Sequence, residues 1–155
     1  GGFTHFYAET HHAVDFAAPV GTVVVAVCPG KVLEVKDGCQ VSGISCRNLY
    51  SWNSVIIQLP TGETIEYVHL KSGAMRVAVG DVVEAGQAIG ECGEAGFCPE
   101  PHLHLELHPG PGDKVETLKF AFAGSTGLVF PEAGQEYSQA LLDESGEVEA
   151  DEHSA

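Results

Sequence analysis

In the stretch His102-Leu103-His104-Leu105-Glu106, histidines and a carboxylate alternate with leucines. In an extended strand alternate residues share a face, so both imidazoles would project to one side of a sheet and both leucines to the other. Two nitrogen donors on one face can begin a metal site. Upstream, His11 and Asp15 stand four apart, which in an extended chain also gives them a common face. One histidine of the downstream pair, joined by a further histidine and a carboxylate from a separate strand, makes a His2Asp donor set. Such a set suits zinc and leaves a fourth position for water, which is the arrangement of a catalytic site and not of a structural one.

Strands are what must hold these donors, and the composition supplies them. The chain has 155 residues, enough for one domain with a real core. Its 19 glycines and many valines, with little helical periodicity, predict an all-β fold with tight turns. Thr22–Val27 and Lys31–Val35 read as a hairpin about Pro29-Gly30. Ser54–Leu59 and Thr64–Leu70 read as a second hairpin about Pro60-Thr61-Gly62, with Val55, Ile57 and Leu59 facing one way. Short strands with turn chemistry follow from Val77 to Gly90, then the strand from His102 to Leu107, stopped at Pro109-Gly110-Pro111-Gly112. Val115–Ala123 reads as a last strand or a helical turn, and Ser138–Leu142 as a short helix.

The net charge of −15, with only seven Lys and Arg, excludes a nucleic-acid partner, because phosphate binding needs clustered cations. No apolar run is long enough to span a bilayer. Nor does the chain start with a cationic segment followed by an apolar one, as an uncleaved secretion signal would. Residues 138–155 read as an acidic, disordered tail and residues 1–137 as the folded domain. The five cysteines suggest two loop clasps, Cys39 with Cys46 and Cys92 with Cys98, leaving Cys28 unpaired. That pairing implies an oxidising compartment; five free thiols is the alternative.

Several segments taken in order carry a family resemblance: His11-His12-Ala13-Val14-Asp15, the valine run from Pro19 to Val32, and Tyr67-Val68-His69-Leu70. Val79-Gly80-Asp81-Val82-Val83 with Ala85-Gly86-Gln87-Ala88-Ile89-Gly90, and Pro101-His102-Leu103-His104-Leu105-Glu106, complete the set. From about His11 to Glu106 the chain closely resembles the LytM/lysostaphin family of zinc metallopeptidases, which cut peptide cross-links in bacterial peptidoglycan. The resemblance implies a barrel-like architecture of antiparallel sheets with long loops walling a narrow cleft. It also implies that one zinc is bound by His11, Asp15 and His104, and that His69 and His102 are catalytic and not ligands. The chain departs from the family pattern at Ala13, where the family usually has glycine. Tyr7 or His5 would fill the family's upstream substrate contact.

The chemistry of these residues agrees with that implication. Bound zinc lowers the pKa of its water toward about 7 and polarises a carbonyl, while two histidines can move protons or bind the oxyanion. Glu106 shares the histidine face, where it either orients a ligand histidine or is simply salt-bridged or solvated. His5, His12, His108 and His153 read as structural or surface, and Trp52 and Phe97 as packing. The expectation is a secreted or periplasmic zinc endopeptidase, a monomer, acting on peptidoglycan peptides. Two other classes compete with it. A non-catalytic LytM-like module regulating a wall hydrolase would lack metal ligands, and all three are present. A biotinyl or lipoyl carrier, suggested by Val79–Gln87, would need a hairpin lysine, and Lys31 and Lys71 lack the flanking residues for it. Glycyl-glycine bridges and D-alanyl cross-links suit such a cleft equally.

Overall fold

The computed structural model describes residues 10–112, 116–124 and 127–135, and the backbone of 148–150. Tyr7, His5, His153 and the Ser138–Leu142 segment lie outside these. Among the described residues the regular structure is strand, apart from short 3-10 turns such as Cys46–Asn48. The strands are β1 (Val14–Ala17), β2 (Val23–Val25), β3 (Gly30–Lys36), β4 (Ser54–Gln58), β5 (Thr64–Val68) and β6 (Val82–Val83). After them come β7 (Ala88–Glu91), β8 (His102–His108), β9 (Phe120–Gly124), β10 (Gly127–Val129) and β11 (Val148–Ala150). The last of these pairs with β9 and falls within the acidic C-terminal stretch.

Six strands form one antiparallel sheet in the order β1-β8-β5-β4-β3-β6, with β2 and β7 making a separate pair and β10-β9-β11 a third sheet. The fold is therefore all-β and antiparallel, as the composition predicts, but its sheets stay open and do not close a barrel.

Alternation along the central strands assigns the two faces. Tyr67 pairs with Leu105 and Ile65 with Leu107 across β5 and β8, while Val55 and Ile57 continue these rows on β4. These residues, with Val32, Leu59 and Ile89, form the core, and most of them are wholly inaccessible to solvent. Each such burial contributes about 1.5–3 kcal/mol before the chain entropy that opposes it. The opposite face carries a second set of rows, Val68 beside His104 and Glu66 beside Glu106. Chemistry and core thus occupy opposite sides of the same three strands.

The hairpin expected between β2 and β3 does not form. β2 pairs with β7, while β3 enters the main sheet between β4 and β6. Between β2 and β3 the chain dips into the core, where the Val27 amide donates to the hydroxyl of the fully buried Tyr67 at 3.0 Å. The hairpin of β4 and β5 does form in the expected place, and the Val115–Ala123 segment yields strand β9.

At Gly30 the chain passes so close to β4 that a Cβ would clash with the Gln58 carbonyl oxygen and stand 2.6 Å from Ile57 Cγ2. Gly30→Ala is accordingly expected to destabilise the protein by about 1–3 kcal/mol, since neither strand can yield without disturbing the ladder. A urea midpoint equal to that of the parent would contradict this.

All five cysteines are free thiols in the structure, so neither expected bridge is formed. Cys39 Sγ donates to the Ser51 carbonyl at 3.0 Å and Cys98 Sγ to the Glu100 carbonyl at 2.9 Å. Cys46 is exposed, and Cys92 is buried.

Candidate metal and catalytic site

The site is assembled around His104 by strand register. On one side of β8, Asp15 of β1 lies directly opposite His104; on the other, Val68 at the end of β5 does. Cross-strand partners share a face, so the Asp15 and His104 side chains meet, with Oδ1 to Nδ1 at 2.8 Å. His102, two residues earlier on β8, brings Nε2 to 3.7 Å from the same oxygen. The alternation of histidine and leucine read from the sequence therefore acts as expected.

His69 reaches the site in a different way. Were β5 to continue, residue 69 would face away from Val68 and hence away from His104. Instead His69 has φ of +64°, the only non-glycine residue with positive φ among those described. This left-handed conformation is costly for a side-chain-bearing residue. It turns the imidazole back onto the histidine face, 4.7 Å from the His102 ring centroid and 5.9 Å from that of His104. Donor atoms of His69, His102 and His104 all lie within 4.8 Å of one another.

Hydrogen bonds to the outer ring nitrogens fix which atoms face inward. His69 Nδ1 lies 2.7 Å from the Ala95 carbonyl and His102 Nδ1 2.7 Å from the Glu100 carbonyl. A carbonyl only accepts, so each Nδ1 carries a proton and each Nε2 is the ring nitrogen turned to the site. Burial holds His69 well below the ordinary imidazole range, at about 4, against the opposing pull of the Ala95 carbonyl. His104 is held the other way round. Its Nε2 donates toward Glu106 Oε2 at 3.3 Å, which leaves Nδ1 facing Asp15. Glu106 thus fixes the ring orientation of His104. Burial opposes charging of this ring, but Asp15 and Glu106 outweigh it and raise the pKa to about 9.

His11 is placed otherwise than the extended-strand reading supposed. β1 starts only at Val14; residues 10–12 form a turn in which the Ala13 amide donates to the Thr10 carbonyl at 3.1 Å. His11 stands exposed in that turn, its ring edge-on to His12 at 4.7 Å, and outside the close group of His69, His102 and His104. Ala13, where the resemblance leads one to expect glycine, is buried.

The backbone that carries His69 is held against Gly93, where a Cβ would meet Lys71 N at 2.6 Å and the His69 carbonyl at 2.8 Å. Gly93→Ala is expected to displace His69 and lower kcat/KM on the order of tenfold to a hundredfold, because small misplacements of catalytic groups have effects of that size. Unaltered kinetics in a correctly folded variant would show that this contact does not position His69.

The family model described as Peptidase family M23 matches residues 9–117. This chain belongs to peptidase family M23. The M23 match contains His11, Asp15, His69, His102 and His104, and it agrees with the resemblance read from the motifs. The chain is 34% identical over 97 residues to the peptidoglycan DD-endopeptidase ShyA of Vibrio cholerae, covering 63% of this chain and 20% of that protein. It is 35% identical over 97 residues to the glycyl-glycine endopeptidase ALE-1 of Staphylococcus capitis, covering 62% of this chain and 24% of that one. The catalytic domain of the antimicrobial peptidase lysostaphin from Staphylococcus simulans has a similar structure. Its TM-score is 0.57 at 29% identity, over 70% of this chain and 74% of that domain. The chain spans less than a quarter of the length of the curated relatives it matches.

Proposed function

We propose that this M23 domain is a zinc endopeptidase that hydrolyses peptide cross-links or bridge peptides of bacterial peptidoglycan, working outside the cytoplasm. The observation that carries the reading is the face-to-face pair Asp15 Oδ1 and His104 Nδ1, 2.8 Å apart, beside two histidines whose Nδ1 atoms are held by backbone carbonyls and whose Nε2 atoms face the site. The substrate class is supported by the similarity to ShyA, a peptidoglycan DD-endopeptidase, and to ALE-1, a glycyl-glycine endopeptidase.

The donor chemistry fits zinc. Asp15 and His104 supply a carboxylate oxygen and an imidazole nitrogen in contact, and the second nitrogen of His104 is engaged by Glu106, as ligand histidines usually are. His11, in the turn before β1, is the third ligand in this proposal. When bound, zinc supplies a Lewis acid that polarises the scissile carbonyl and acidifies a water.

The remaining chemistry belongs to the two other histidines. A base must be unprotonated and within reach of the water; burial keeps the His69 ring neutral, and His69 and His102 both turn Nε2 toward Asp15 and His104. One accepts the proton of the attacking water; once protonated, that Nε2 can donate to the leaving amine. The other ring binds the developing oxyanion when its Nε2 carries a proton to donate, because a bare lone pair would repel that charge. Leaving His69 neutral costs nothing in this cycle, because burial already disfavours its charged form. Every group comes from one chain, so a monomer is sufficient.

Digestion of purified peptidoglycans, one with glycine bridges and one with direct D-alanyl cross-links, tests the reading by mass spectrometry of the fragments. Zinc-dependent release of cross-linked peptides from at least one wall is expected. Intact cross-links in both, from zinc-loaded folded protein, would overturn it.

A further inference from the structure

Two residues beyond the catalytic face of His104, β8 carries Glu106 and then His108, and the neighbouring β5 carries Glu66 directly opposite Glu106. Like charges directly opposite across a sheet repel, and here both carboxylates are buried, Glu66 at 4% exposure and Glu106 at 8%. His108, at 4%, closes the group, and donor atoms of all three lie within 4.8 Å of one another. The group borders a cleft lined by Glu34, Ile56, Thr64 and Gly110.

The ring of His108 is set with one nitrogen spoken for. Nδ1 donates to the Glu116 carbonyl at 2.9 Å, which leaves Nε2 as the atom facing the carboxylates. Nε2 is buried and 3.3 Å from Glu106 Oε1, yet it makes no hydrogen bond, because a proton on it would not point squarely at that oxygen. Hydrogen-bonded atoms need that straight line. Two ligands of one ion do not: at metal–ligand distances of about 2.0–2.1 Å they stand about 3.4 Å apart, with lone pairs converging on the ion. The observed spacing and misalignment match the second arrangement.

We propose that Glu66, Glu106 and His108 form a second divalent-cation site of the zinc class, separate from the catalytic centre and joined to it through Glu106. Of the Glu106 carboxylate, Oε2 holds His104 and Oε1 faces the new site. Trp52 Nε1 donates to Glu66 Oε1 at 3.3 Å, so the indole reports on the third ligand. The ion adds to the charge that His104 and His108 already set against Glu106, and lies beside Glu66, which no lysine or arginine pairs with among the described ion pairs.

The test is titration of the metal-stripped chain with zinc chloride alone, followed by calorimetry and by the emission of Trp52, the single tryptophan. Two equivalents per chain are expected for the parent, and one for His108→Gln and for Glu66→Gln. The Trp52 response should be lost in both variants, and both should stay folded and retain zinc-dependent hydrolysis. A single equivalent in the parent, unchanged in both variants, would overturn the site and show that the group holds only a proton. That outcome leaves the catalytic assignment standing, whereas loss of hydrolysis in His104→Ala with both equivalents retained would break the catalytic assignment and leave this site standing.

Discussion

Replacing His104 with alanine is expected to abolish hydrolysis and remove one equivalent of zinc, while the β core remains folded. The residue is where three strands converge, facing Asp15 at Nδ1 and Glu106 at Nε2. The residue opposite it on β5, Val68, offers no donor atom in its place. Glu106 loses one partner but keeps His108 beside its other oxygen, so the stability cost should stay near about 1–3 kcal/mol. That is within the roughly 5–15 kcal/mol stability of an ordinary domain. Elemental analysis and a denaturation curve check both halves of the expectation. A purified variant with the parent's zinc content would remove His104 from the ligand set.

Replacing His69 or His102 with alanine is expected to lower kcat a hundredfold or more. Each ring is anchored by an Nδ1 bond to a backbone carbonyl, so alanine removes one hydrogen bond and the group that moves protons. The stability effects of the two should differ. His69 occupies a left-handed conformation that alanine must also adopt, so His69→Ala keeps the strain and loses the Ala95 contact that offsets it. His102→Ala sits in a regular strand and carries no such strain. Single-turnover kinetics on a cross-linked muropeptide give the rate; near-parental kcat in either variant would take that histidine out of the chemistry.

The parts of this site legible in the sequence are those governed by local periodicity. Alternation from His102 to Glu106 predicts the strand, its two faces and the inward pair of histidines, and Pro60-Thr61-Gly62 predicts the β4–β5 turn. Partner choice is not local. The strand β2 pairs with β7, Val23 opposite Glu91, and nothing within Thr22–Val27 indicates so distant a partner. His11 and Asp15 have the spacing of a strand face, yet a turn closed by the Thr10 carbonyl occupies the first half of that interval. At His69 the positive φ has no sequence signal of its own, because tertiary contacts impose it on a residue that does not favour it. His108 illustrates the same limit. Read as structural or surface, it is buried against two carboxylates, and that environment is set by the pairing of β5 with β8 and not by its neighbours in the chain.

His11 and His69 divide ligation from proton transfer in the proposed site, although His69 lies in the close group of donor atoms and His11 in an exposed turn. Zinc content of purified His11→Ala and His69→Ala, each compared with the parent chain under identical conditions, tests it most directly. His11→Ala is expected to fall one equivalent below the parent, and His69→Ala to match the parent while inactive. A His69→Ala protein that loses the equivalent, beside a His11→Ala protein that keeps it, would make His69, His102 and His104 the metal ligands and contradict the assignment.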